Sequence, residues 1–181
     1  MKKMTDRQKR FSLRHIVALV FGATMLLLIM PALMFFMSAF LSLEFLPSTK
    51  IGHMLGALIS GAGLFFILWA NIELYVKGHG GAAVVGKIKI MPETVAVVTT
   101  GTYGLGRNSM HNGIVVYYTG IAFTLNNLVC MLFAVFFGVC ALLFAVYIDE
   151  PRLMRDFGKE FERWREITPR FIPKIKKPFS N

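Results

Sequence analysis

Two polar stretches of this chain hold the residue types that could act on a ligand. The first, Gly101 to Gly113, reads G-T-Y-G-L-G-R-N-S-M-H-N-G. The second, Asp149 to Pro173, reads D-E-P-R-L-M-R-D-F-G-K-E-F-E-R-W-R-E-I-T-P-R-F-I-P. Between them they supply a tyrosine, a histidine, arginines and carboxylates at short spacing. Residues 114–148 are almost wholly apolar and look like one transmembrane hairpin, which returns both stretches to the same side of a membrane. A site assembled there has a lipid wall and an aqueous mouth, a geometry suited to chemistry on an amphiphile.

Other chemistries find little support. His15, His53, His79 and His111 are scattered, and only His111 lies inside a motif-like stretch. There is no Ser/His/Asp or Cys/His arrangement, and no H-E-x-x-H or paired-cysteine spacing, so no metal is expected. Cys130 and Cys140 fall in the last apolar run and read as small packing residues. The run from Gly81 through Gly86 to Ile88 nearly spells a phosphate-binding loop but lacks the Ser/Thr that would hold Mg²⁺.

The composition demands a membrane. Of 181 residues, 55% are hydrophobic, and the mean hydropathy is +0.59. The net charge of +10 would suit a nucleic-acid partner, but its placement excludes one. Six basic residues precede the first apolar run and nine follow Glu150, so the clusters flank spans and face a cytoplasmic, anionic lipid surface. The expected fold is an all-α integral membrane protein, a single domain of about four transmembrane helices plus a C-terminal interfacial amphipathic helix.

In order, residues 1–14 form a basic cytoplasmic arm. Spans are expected at 16–40, kinked by Pro31, and at 51–76, 112–125 and 128–147. The first is too long for a signal-peptide core and reads as a retained span. Residues 77–111 form a cytoplasmic loop, 150–166 the interfacial helix and 167–181 a basic tail, with both termini cytoplasmic in what reads as a cell (inner) membrane. Gly52, Gly56 and Ser60 make a small-residue stripe that should pack against the first or third span. Asn126-Asn127 should turn the last hairpin. Glu73, near the end of the second span, is either functional or a packing residue near the interface. Asp149 or Glu150 can N-cap the final helix, in which Leu153, Phe157, Phe161 and Trp164 make one apolar face, the last two as interface anchors.

The two polar stretches resemble the isoprenylcysteine carboxyl methyltransferase and phospholipid methyltransferase superfamily of integral membrane enzymes. The family pattern is G-P-Y-x-x-x-R-H-P-M-Y-x-G, a hairpin, then E-E-P-x-L-x-x-x-F-G, ending in P-R-x-I-P. Gly101, Tyr103, Arg107, Met110 and Gly113 match the first part; Glu150, Pro151, Leu153, Phe157, Gly158, Pro169, Arg170, Ile172 and Pro173 match the second. Asn108 and Ser109 stand where the pattern has His-Pro, and His111 where it has Tyr. The resemblance implies a methyltransferase using S-adenosylmethionine (AdoMet) on a lipid-like or membrane-embedded acceptor: an isoprenylcysteine carboxylate, a phospholipid amine or a small thiol. It places Tyr103, Arg107, Asn108, His111, Glu150 and Arg170 around the cofactor. The departures at Asn108 and Ser109 leave an alternative, a non-catalytic membrane protein of the same fold that binds a lipid or a protein partner.

Overall fold

The computed structural model describes residues 16–17, 20–79, 84–85, 88–89 and 94–171. The expected arm 1–14, the near-phosphate-loop glycines Gly81 and Gly86, and the tail beyond Phe171 lie outside the described residues. The described residues form helix α1 (Val20–Phe40), α2 (Thr49–Val76), a two-rung antiparallel ribbon of β1 (Val84–Val85) and β2 (Ile88–Lys89), then α3 (Thr102–Leu105), α4 (Ser109–Leu125), α5 (Leu128–Phe157) and α6 (Lys159–Ile167). The fold is helical; the ribbon, inside the long connection after α2, is the one addition to the expected all-α reading among the described residues. Helices α1, α2 and α5 are long and apolar enough to cross a membrane. With 17 residues, α4 rises only about 26 Å at 1.5 Å per residue.

The short helix is held by the closest packing in the molecule. Helices α2 and α4 run antiparallel with backbones touching: Gly52 lies against the Phe123 carbonyl, Gly56 against Gly120 and Thr124, Ser60 against Gly120, and Gly63 against Gly113 and Tyr117. A side chain at any of these glycines would meet backbone of the other helix. The small-residue stripe therefore serves the third of the four apolar helices, as van der Waals packing in lipid favours. Gly61, on the same helix, has open space around it. Gly120→Val should therefore abolish most of the folded, detergent-extractable yield, since overpacking against rigid backbone costs about 1–3 kcal/mol or more, while Gly61→Val should leave it near wild type. Size-exclusion yield of the two variants checks this.

Two prolines shape the long helices in the same way. In α1 a π-helical turn, Met25–Ile29, precedes Pro31; in α5 another, Ala145–Asp149, precedes Pro151. A proline ring clashes with the carbonyl four residues back and offers no N–H, so the preceding turn widens. The carbonyl freed at Leu26 is met instead by the Tyr118 hydroxyl from α4, at 3.4 Å, as apolar surroundings require. The Asn126-Asn127 turn also does more than reverse the chain. Asn126 adopts a left-handed conformation, its Oδ1 accepts from the Leu46 N–H and its Nδ2 donates to the Leu46 carbonyl, while Asn127 Nδ2 donates to the Leu41 carbonyl. Both amides are buried and clamp the connection between α1 and α2.

At the other end the structure corrects the sequence in three places. Neither Asp149 nor Glu150 caps a helix, because α5 runs unbroken through both. The amphipathic C-terminal helix is cut in two at Gly158, whose φ of +52° suits glycine. Phe161 and Trp164 face inward as core, packed with Ala70, Leu74, Val98 and Tyr103, instead of anchoring at the membrane interface.

Candidate functional site

The site grows from a turn with unusual backbone. Gly101 has φ +60°, and the space its side chain would need is filled by the carboxylate of Glu73. Glu73 Oε2 accepts from both the backbone N–H and the hydroxyl of Thr102, each at 2.8 Å, and Oε1 pairs with Lys77 Nζ at 3.0 Å. Glu73 is thus spent on fixing the start of α3 to α2. Ser109, fully buried, closes the same turn: its Oγ lies 2.5 Å from the Thr102 carbonyl and 2.7 Å from that of Gly106. A hydroxyl does here the bracing that a proline ring would do by rigidity.

Across this turn lies a strap from the C-terminal stretch. The Arg107 N–H donates to the Pro169 carbonyl at 2.9 Å, the Asn108 N–H to that of Arg170 at 3.2 Å, and Asn112 Nδ2 to that of Phe171 at 2.7 Å. Arg170 locks the strap through its side chain, with Nε and Nη2 donating to the two oxygens of Glu150 at 2.6 and 2.9 Å. Arg107 Nη1 approaches the same carboxylate at 3.1 Å. Glu150 therefore lies between two guanidiniums. Burial lowers the Arg107 pKa and the Glu150 charge works against that; for Arg170, the hydrogen bond to Glu150 raises it.

Beside this network opens a cavity with about 600 Å³ of empty space, part of it open to solvent, lined among others by Tyr103, Arg107, Asn108, His111, Asp149, Arg152 and Trp164. Four of these carry buried polar atoms with no hydrogen-bond partner among the described residues: Arg107 Nε and Nη1, Asp149 Oδ1, Arg152 Nε and Trp164 Nε1. The ion pairs Arg107–Glu150 (3.1 Å) and Arg152–Asp149 (3.2 Å) bring charges close without aligning a hydrogen bond at those atoms. Buried polar atoms are rarely left unmatched unless a ligand or water meets them. Tyr103 is buried, and burial, reinforced by the Asp149 and Glu73 charges, raises its pKa far enough to keep the phenol protonated.

Of the residues nominated by the motifs, Tyr103, Arg107, Asn108 and His111 border the cavity. Glu150 and Arg170 stand behind Arg107 and do not line it. Asp149, Arg152 and Trp164 do line it and were missed. The π-helical turn ending at Asp149 shifts the helix phase, so counting by 3.6 from Glu150 or Pro151 misplaces Asp149. Trp164 was assigned to lipid because its strip is amphipathic. On the other face of the first turn of α4 is a second, apolar opening of about 490 Å³, lined by Ala62, Phe66, Asn112, Gly113, Val116 and Gly138 among others. Among the described residues no group of histidine, cysteine and carboxylate side chains could hold a metal ion.

A family model described as phospholipid methyltransferase matches residues 51–160, which include both openings' α2, α4 and α5 walls and the residues Arg107, His111, Asp149 and Glu150. No curated protein and no solved structure matches the chain.

Proposed function

Because the chain belongs to the phospholipid methyltransferase family, we propose that it transfers a methyl group from AdoMet to a lipid-like acceptor at the membrane face. The observation that carries this reading is the set of unmatched buried atoms on one cavity: two guanidiniums, one carboxylate and one indole N–H. Bound AdoMet would supply an electrophilic methyl on a sulfonium. This donor set suits such a molecule. Arg107, with Arg152 beside it, would take its carboxylate, Asp149 its ammonium, and Trp164 its adenosyl moiety. Glu150 and Arg170 act one step back, as positioning residues that hold Arg107 and the strap. In-line methyl transfer gains most from fixed orientation, and the charged groups on this cavity are held in place by their ion pairs and by the strap behind Arg107.

The apolar opening beyond the α4 turn is where the acceptor's chain would lie, reached from the lipid between α2 and α5. An isoprenylcysteine, a phospholipid amine and a small thiol remain the acceptor classes. The basic flanks support an orientation with both termini and the 77–111 connection on the cytoplasmic side of a cell membrane. Membranes bearing the protein and given methyl-labelled AdoMet should label the lipid extract or a membrane-bound product. Membranes lacking it should not, and equal labelling in the two would contradict the proposal.

A further inference from the structure

Resting on the methyltransferase reading, we propose that the 169–171 strap is the moving wall of the site, released in each catalytic cycle to join the acceptor opening to the cofactor cavity. In the structure the two do not meet. Arg107, Asn108 and His111 line the cavity, while Gly106, Ser109 and Asn112 line the apolar opening. Residues of one short stretch thus alternate between the two sides of a wall one helical turn thick. Such a turn measures about 10–12 Å across with its side chains. Methyl transfer needs its reacting atoms about 3–3.5 Å apart. A cofactor on one side and an acceptor on the other can react only if some part of the wall gives way.

Most of that wall is rigid. The start of α3 is fixed to α2 by the Thr102 N–H on Glu73 at 2.8 Å, and Ser109 braces the turn from within. Further along, α4 lies backbone to backbone on α2 at Gly63 and Gly113. Parting these helices would forfeit close packing along both. The strap is held differently. It belongs to no helix or strand, and its carbonyls are met by the N–H groups of Arg107 and Asn108 and by Asn112 Nδ2. Its ionic tie runs from Arg170, 38% exposed, to Glu150, so water competes for the pair. Segments fixed by a few partly exposed hydrogen bonds open at the low end of a fold's stability range.

The strap also lies where the wall ends. Its carbonyls cover Arg107 and Asn108, just ahead of α4. The Phe171 carbonyl stands 3.0 Å from the place a Cβ on Gly106 would take, and Phe171 itself lines the acceptor opening. Release of the Arg170 and Phe171 carbonyls therefore uncovers an edge with Gly106 on the acceptor side and Asn108 on the cofactor side. Arg107 keeps its ion pair with Glu150 as the strap leaves, so the cofactor stays held while the acceptor approaches. Gating motions of this kind run in microseconds to milliseconds and set the turnover rate of many enzymes.

The test staples the strap shut reversibly. The full chain in proteoliposomes carries Gly106→Cys and Phe171→Cys in a Cys130→Ala/Cys140→Ala background, with the disulfide verified by mass spectrometry. Gly106 has φ −165°, extended backbone that any residue adopts. The acceptor is whichever of phosphatidylethanolamine, farnesylcysteine and dodecanethiol the unaltered chain methylates. Oxidation of the pair should reduce transfer to that of vesicles without protein, and dithiothreitol should restore it. AdoMet affinity by calorimetry should stay within about twofold in both states, because no cofactor contact is lost. Undiminished transfer by the oxidised pair overturns the proposal. So does loss of AdoMet binding on oxidation, which would make the strap part of the cofactor site alone. Hydrogen exchange on the unaltered chain gives a second measure that needs no substitution. The Arg107 and Asn108 amides should exchange much faster than the Tyr118 amide within α4, and equal protection overturns the proposal. An unaltered chain that binds no AdoMet, or methylates none of the three acceptors, overturns the methyltransferase reading and the proposal with it.

Discussion

Arg107→Ala is expected to weaken AdoMet binding by about 10- to 150-fold, with little change in extractable yield. The side chain is 8% exposed, and among the described residues two of its nitrogens make no hydrogen bond, Nη1 meeting Glu150 only as an ion pair at 3.1 Å. Losing a charge-assisted hydrogen bond costs about 1.5–3 kcal/mol, which converts to that range of affinity. The fold suffers less, because Glu150 keeps the bidentate grip of Arg170. Arg107→Lys retains the charge but not the planar fork and should fall between. Since an arginine stays protonated throughout, the defect should not vary between pH 6 and 9. Isothermal titration of both variants measures it.

Glu150→Gln has the opposite signature, a large loss of stability. Its carboxylate is the single counter-charge between two guanidiniums, one of them buried. Removing one member of a buried pair commonly costs about 3–5 kcal/mol, and here the lower end applies because Arg170 is 38% exposed and screened by solvent. The loss should unlatch the 169–171 strap, lowering the thermal midpoint and opening the chain to trypsin at Arg170. Arg170→Gln alone should give the milder version, and the double variant should be less than additive, because both changes break one contact. Additive losses would mean that the pair is not coupled.

How much of this was legible in the sequence follows from what sequence periodicity can encode. The apolar runs, the hairpin turn at Asn126-Asn127 and the pairing of the two polar stretches follow from local composition and motif. The clamp those two asparagines make on Leu41 and Leu46 does not, because its partners lie 80 or more residues away. Asp149 was hidden by helix phase: the π-helical turn that Pro151 enforces rotates it relative to a regular helix. Phe161 and Trp164 form an apolar strip that looks the same whether it faces lipid or protein; the break at Gly158 turns it inward. Ser109 looked like a lost proline, yet its hydroxyl braces the turn with two carbonyl contacts. Glu150 and Arg170 meet Arg107 in one ion-pair network, but a list of charged residues cannot say which of them pair with each other.

The central claim is that Arg107, Asp149, Arg152 and Trp164 are left unmatched because AdoMet meets them. Calorimetric titration of AdoMet into the detergent-purified protein tests it most directly, with Asp149→Asn run alongside. The predicted result is saturable one-to-one binding that Asp149→Asn weakens by about 10-fold or more, as expected for a lost ionic hydrogen bond. No detectable binding by the wild type at millimolar AdoMet, or equal binding by wild type and Asp149→Asn, would contradict it.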